Sequence, residues 1–295
     1  LYLMTQKGFE IISHLTKKGM SKYISCVIVG RDNNVNNDYS EDIIEVCENN
    51  NIAWFWRNEN YKVTSSYSIA ISWKWIIHSP ESKLIILHDG LLPKYRGFAP
   101  LVSALINREE KVGVTAIWAA AEYDKGEIIA QESIVMNYPI RIKDVIDKIT
   151  LKYVSLVDGI FEKVLQGKSI QGIPQNEDLA SYSLWRDEED YVIDWSESAD
   201  QILSFIYAVS EPYKGASTFI NGVHKIRIID AEVVDDVDIK NRDNGKVIFN
   251  YNKFPVIVCG TGLLKITNAY FDKDGKNAIP FKKFRTRLMA KQTKI

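Results

Sequence analysis

Short runs of β-branched residues alternate with amphipathic stretches over the first 170 or so positions. Residues 1–4 read as the end of a short strand. Over 8–18, Phe9, Ile12 and Leu15 recur at helical spacing, and Gly19 is a suitable helix stop. Residues 24–29 form a buried β-branched run closed by Gly30. The polar, Asn-rich stretch 32–39 reads as a loop. Ser40 is expected to cap a helix whose first turn holds Glu41 and Asp42, where the helix dipole favours acids. Further strands are expected at 52–56, 68–73, 84–87 and 114–118, with a short helix at 101–107 between the last two. Apolar runs separated by helices predict a parallel sheet covered on both faces. From Ile142 to Val164 one apolar stripe runs at period 3.6 and stops at Gly167, predicting the longest helix of the chain.

The pattern then changes. Residues 168–183 hold Gly172 and Pro174 without periodicity and read as an interdomain linker. A helix at 198–209 precedes short β-like runs at 224–229, 246–249, 256–259 and 263–267, divided by tight turns. That spacing predicts a small antiparallel barrel. The expected organisation is an α/β domain at 1–167, a linker at 168–183 and a barrel-like domain at 184–295. The basic run 281–295 contains no acid and reads as a solvated tail.

Composition narrows the classes. With 46% hydrophobic and 25% charged residues, the 295-residue chain can bury a real core. A formal net charge of −1 argues against a nucleic-acid partner, which a basic excess would serve. There is no apolar run of about 18 residues to cross a membrane, and the start lacks the pattern of a secretion signal. Cys26, Cys47 and Cys259 are odd in number and widely spaced, so reduced, buried thiols in a cytoplasmic protein are expected. A homodimer is left open.

No Gly-x-Gly-x-x-Gly follows the first strand and no Walker-type loop occurs, which argues against a dinucleotide dehydrogenase or a P-loop enzyme. His14, His78, His88 and His224 include no pair at metal-ligand spacing, so no metal is expected. His88 stands apart, at the carboxyl end of the run 84–87, where an open parallel sheet places its ligands. Asp124 follows the next long strand. If the two strands are neighbours, their carboxyl-end loops meet over one crevice. A carboxylate beside an imidazole fixes its tautomer and favours its protonated form, which suits a general base. The plainer alternative is a loop histidine bonded to a nearby acid.

At these residues the chain resembles the folate-dependent formyltransferases. His88-Asp89-Gly90-Leu91-Leu92-Pro93-Lys94-Tyr95-Arg96-Gly97-Phe98-Ala99-Pro100 is similar to the family's His-led Leu-Leu-Pro signature. Gly113-Val114-Thr115 with Tyr123-Asp124-Lys125-Gly126 is similar to its second motif. Ile193-Asp194-Trp195-Ser196 and Pro212-Tyr213-Lys214-Gly215-Ala216 resemble the start of the carboxyl-terminal domain in methionyl-tRNA and amino-arabinose formyltransferases. The resemblance implies a Rossmann-like parallel-sheet domain followed by a small barrel, 10-formyltetrahydrofolate as formyl donor, and transfer to a primary amine. It implies His88 as general base and Asp124 as the acid that tunes it. Ser72-Trp73-Lys74-Trp75 resembles the segment of sugar formyltransferases whose neighbouring backbone holds the pterin. Folate contacts are therefore expected at Ala70, Ile71 and Ser72, and at Ala120, Ala121, Glu122 and Tyr123. Trp73 and Trp75 are equally consistent with ordinary packing.

One position departs from the family. Two residues before the histidine the family has an Asn that bonds the formyl oxygen; here stands Ile86. Losing such a donor typically costs about a hundredfold to a thousandfold in rate. The acidic, Asn-rich loop 32–42 is unlike the basic insertion of the tRNA-acting branch. The expected acceptor is thus a nucleotide-linked amino sugar, of the kind used to build surface polysaccharide. The alternatives are methionyl-tRNA formylation and a non-catalytic binding role.

Overall fold

The computed structural model describes residues 1–77 and 82–290. His78, Lys291 and Lys294 lie outside the described residues. The chain divides into two compact units. The first holds residues 1–104, 110–136 and 144–185; the second holds 105–109, 137–143 and the chain from 186 onward.

In the first unit, β1 (Tyr2–Leu3), β2 (Val27–Val29), β3 (Trp54–Trp56), β4 (Tyr67–Ile71) and β5 (Lys83–His88) run parallel in the order β3-β2-β1-β4-β5. The helix α1 (Thr5–Lys17) begins three residues before its apolar stripe. Its first turn carries Lys7, which is 6% exposed and ion-paired to Asp89, so a contact distant in sequence extends it. In α2 (Ser40–Asn49), Ser40 is the first helical residue rather than the cap. Its N–H and hydroxyl both donate to the Asp38 carboxylate, at 3.0 and 2.8 Å, and Asp38 thus takes the capping role expected of Ser40.

A two-residue strand β6 (Arg96–Gly97) and the helix α3 (Pro100–Ile106) precede β7 (Lys111–Trp118), and β8 (Ile128–Val135) completes the sheet. Both β7 and β8 are antiparallel to their neighbours, so the sheet is parallel only through β5. The sequence did not reveal β8. Its residues Gln131, Glu132 and Ser133 are polar, as an edge strand allows. The stripe of α4 (Ile142–Leu165) buries Ile142, Val145, Ile149, Tyr153 and Val157. Residues 168–183, expected as a linker, belong to the first unit. Ile173 exchanges backbone bonds with Ile128, and β9 (Tyr182–Ser183) pairs with β6.

In the second unit, Ser198 caps α5 (Ala199–Ala208) by accepting the Gln201 N–H at 3.2 Å. A curled antiparallel sheet follows, made of β10 (Ala216–Ile220), β11 (His224–Val234), β12 (Val247–Tyr251), β13 (Phe254–Val258), β14 (Leu263–Phe271) and β15 (Leu288–Met289). Its edges meet: Lys246 bridges Arg287, and Leu288 N–H donates to Gly245 at 2.7 Å. Part of the expected solvated tail therefore closes the sheet, with Leu288 2% exposed. The three cysteines are free and buried, and burial pushes the Cys47 and Cys259 thiols up to about 12.

Candidate active site

His88 ends β5, on the same sheet face as Ile86, because alternate residues of a strand share a face. It is 7% exposed. Its Nδ1 lies 3.5 Å from Asp124 Oδ2, and its Nε2 lies 2.8 Å from the Tyr95 carbonyl oxygen. A carbonyl only accepts, so Nε2 carries hydrogen in this contact. The Nδ1 contact is too long for a good hydrogen bond. Asp124 Oδ2 also accepts the Gly97 N–H at 2.8 Å, so one carboxylate ties the histidine to the Leu-Leu-Pro loop.

The route by which Asp124 reaches His88 differs from the expected one. Because β7 is antiparallel to β5, Trp118 at its carboxyl end pairs with Ile85, while His88 pairs with Thr115. The two carboxyl ends are therefore opposed, and the loop 119–127 has to fold back along the sheet to meet His88. Gln175 holds it there, donating from Nε2 to the carbonyls of Asp124 at 2.6 Å and Gly126 at 2.8 Å. Gly126 packs against β7 so closely that an added Cβ would stand 1.6 Å from the Trp118 carbonyl oxygen. Gly126→Ala is thus expected to force this loop off the sheet, carry Asp124 away and lower kcat at least tenfold, with a lower melting temperature. Unchanged kinetics would show that the loop position does not matter.

The same clamp grips Arg96, which is fully buried. Its guanidinium donates to both Glu177 oxygens at 2.8 and 2.7 Å and to Gln175 Oε1 at 3.1 and 2.8 Å. Ser181 joins in, its Oγ accepting the Tyr95 N–H at 2.9 Å and its carbonyl the Arg96 N–H at 2.8 Å. The bidentate fork holds the Glu177 carboxyl below the usual carboxylate range. A depressed carboxylate contributes stability above its unfolded pKa of about 4.3 and loses it as pH falls through the folded value. Melting temperature should therefore fall on acidification through that window, and Glu177→Gln should flatten part of the fall. Parallel curves for the two proteins would count against the fork as a stabilising contact.

On the other side, Thr115 is fully buried under the loop. Its hydroxyl donates to Gly90 O at 2.6 Å and accepts from Leu92 N at 3.1 Å and Gln131 Nε2 at 2.9 Å. Next to His88, Asp89 pairs with Lys7 and accepts the Tyr153 hydroxyl at 2.5 Å. Burial pushes the Tyr153 phenol well above its ordinary range. Gln175, Glu177, Tyr153 and the Tyr95 carbonyl were not among the residues predicted. Pro174-Gln175 was the available signal, in a stretch read as a linker.

The residues predicted to contact folate fall in two places. Ala70 and Ile71 are buried in the sheet, at 2% and 0% exposure, with Ser72 just past the ladder at φ 54°. Ala120, Ala121, Glu122 and Tyr123 are exposed on the loop that carries Asp124, where the Tyr123 ring lies 6.4 Å from that of Phe98. The Ser72 hydroxyl and the Trp73 indole N–H are buried and have no partner among the described residues. Two orphaned polar groups just past the end of β4 fit a polar ring such as a pterin, since buried polar groups are normally satisfied. Trp73 also packs at 5.2 Å from Tyr2, which is the packing alternative in operation. Among the described residues no cluster of His, Cys, Asp or Glu is arranged to hold a metal.

Comparison with known proteins bears on this site. Residues 57–152 match the family described as Formyl transferase, and 186–287 match Formyl transferase, C-terminal domain. The methionyl-tRNA formyltransferase of Moorella thermoacetica is 30% identical over 205 residues, 70% of this chain and 64% of that one. The chain spans between 55% and 65% of the length of the first five such relatives. Among solved structures, WlaRD, a sugar 3N-formyltransferase with dTDP and 5-N-formyl-THF, is similar at TM-score 0.65 and 18% identity. That match covers 92% of this chain and 97% of that one. The Helicobacter canadensis N-formyltransferase, in complex with folinic acid and dTDP-3-aminofucose, has TM-score 0.65 and 16% identity, covering 91% and 98%.

Proposed function

We propose that this chain, which belongs to the formyltransferase family, moves a formyl group from 10-formyltetrahydrofolate to the primary amine of a nucleotide-linked amino sugar. The observation that carries the reading is the contact of His88 with Asp124 at 3.5 Å, on the residues that match the family's two motifs. When bound, the folate supplies the formyl carbon; Ser72 and Trp73 offer it two polar groups without a partner among the described residues. An amine taking up that carbon must lose a proton as tetrahydrofolate leaves, and in this reading His88 receives it. The ring meets the amine from within a closed loop: the Tyr95 carbonyl occupies Nε2, so an arriving amine has to displace that contact or approach at Nδ1. Arg96, Gln175 and Thr115 do not reach the ring; they hold the two loops that carry Tyr95 and Asp124.

The amino-sugar acceptor is supported by similarity in fold to two sugar formyltransferases along nearly their whole length. It is supported also by the absence of basic excess, since a net charge of −1 gives transfer RNA little to bind. Methionyl-tRNA formylation keeps the support of the curated relatives. Among the described residues no helix is long and apolar enough to cross a membrane. The test is incubation with 10-formyltetrahydrofolate and a panel of nucleotide-linked amino sugars, read by mass spectrometry. A mass gain of one formyl unit on a panel member is expected. No gain on any member, alongside formylation of methionyl-tRNA, would overturn the acceptor.

A further inference from the structure

A second built feature lies on the same edge of the sheet as His88. The strand ends of β2 and β3 border a cavity of about 440 Å³ lined by Arg31, Asn33, Trp56, Arg57, Asn58 and Trp75. That volume is within the range of small-molecule sites. The Arg31 guanidinium lies 4.5 Å from the Trp56 ring and that of Arg57 lies 4.3 Å from Trp75. A guanidinium held over an indole can keep N–H groups for oxygen acceptors. Arg31 is also paired with Glu41, both of them exposed, whereas Arg57 has no carboxylate partner among the described residues. Trp75 is seated on Gly30, where any Cβ would stand 2.6 Å from its Cζ3, so the cavity wall depends on a residue without a side chain.

We infer that this cavity takes the nucleoside diphosphate end of the acceptor. The inference rests on the amino-sugar reading above and deepens it. Two cationic forks suit two linked phosphates, the Asn33 and Asn58 amides can bond a base edge, and a flat base can extend an arginine–indole stack. Register supplies the second argument. Val29 pairs with Trp56, Leu3 with Val29 and with Ile71, and Ile71 with Leu87. One step further along each strand, Arg57, Gly30, Met4, Ser72 and His88 form a single row across the sheet. At about 4.8 Å per strand, the cavity at β2 and β3 stands roughly 14–19 Å from His88. A free amino sugar is one ring and cannot touch both places. The same sugar carried on a nucleoside diphosphate can, with its amine at His88 and its charge at Arg57. The family match begins at residue 57, so Arg31, Asn33 and Trp56 lie outside the matched region, where acceptor choice can vary.

The test measures binding of UDP, TDP and GDP to the intact chain by calorimetry and tryptophan quenching, then acceptor kinetics. At least one diphosphate is expected to bind, with Arg57→Ala weakening it tenfold or more and Arg57→Glu weakening it further. Both variants should raise KM for the amino-sugar acceptor while leaving kcat and the KM for the folate donor within twofold. Arg57 is exposed, and a melting curve of each variant checks that it folds. Gly30→Ala should mimic the loss by displacing Trp75. If the wild type formylates an amino sugar but Arg57 variants change neither diphosphate affinity nor acceptor KM, the subsite is wrong and the function stands. If no diphosphate binds the wild type, the inference is overturned whichever acceptor is formylated. Weaker binding of a CCA-ended RNA in the variants, without any diphosphate binding, would assign the cavity to transfer RNA instead.

Discussion

His88→Ala is expected to lower kcat for formyl transfer by about a hundredfold to ten-thousandfold, the usual contribution of a positioned acid–base group. The ring stands at a strand end with Asp124 on one edge and the Tyr95 carbonyl on the other. Because the side chain is nearly buried, its loss could also disturb the loop. His88→Asn keeps a polar group for the Tyr95 carbonyl and serves as the control for that. Steady-state assays at saturating donor would show the loss in both variants with KM little changed. A loss under fivefold in His88→Asn would remove His88 from the mechanism.

The second large effect is expected at Ile86. Its side chain is part of an apolar cluster with Tyr2, Cys26, Ile28 and Ala70, and Trp73 packs on the same group. Ile86 is half-buried, so an Asn there would set part of an amide among these residues, and a fully buried amide without a partner costs about 1–3 kcal/mol on mutational measurements. Ile86→Asn should therefore lower the melting temperature and leave kcat unraised. This expectation treats the site as complete without the family's Asn. A site that had simply lost its donor would respond in the opposite way, regaining up to about a thousandfold in rate. A melting curve and a transfer assay on this one variant separate the two; a tenfold gain in kcat would show that the wild-type site lacks its donor.

These two residues also show what could be read from the chain alone. The parallel strands β1 to β5 were legible because each lies in a compact apolar run, and α4 because its stripe is unbroken for six turns. The proximity of His88 and Asp124 was legible from motifs, but its stated cause was not. The direction of β7 is decided by its pairing with β5 and β8, and β8 is a polar edge strand with little signal of its own. The clamp from Gln175 to Ser183 was hidden for a related reason. Its residues are polar and aperiodic, as a linker's are, yet they are fixed by backbone and side-chain bonds to loops about 50 to 90 residues away in sequence. Such contacts leave no period to detect. Arg96 is the clearest case, a charge that is fully buried because Glu177 and Gln175, distant in sequence, satisfy its fork.

The most direct measurement gives one preparation of the protein one donor, 10-formyltetrahydrofolate, and two acceptors in parallel, nucleotide-linked amino sugars and methionyl-tRNA. It compares their kcat/KM values in the wild type and in His88→Asn. The account predicts formylation of an amino sugar at the higher kcat/KM, abolished by His88→Asn. A higher kcat/KM for methionyl-tRNA, or amino-sugar formylation that survives the loss of His88, would contradict it.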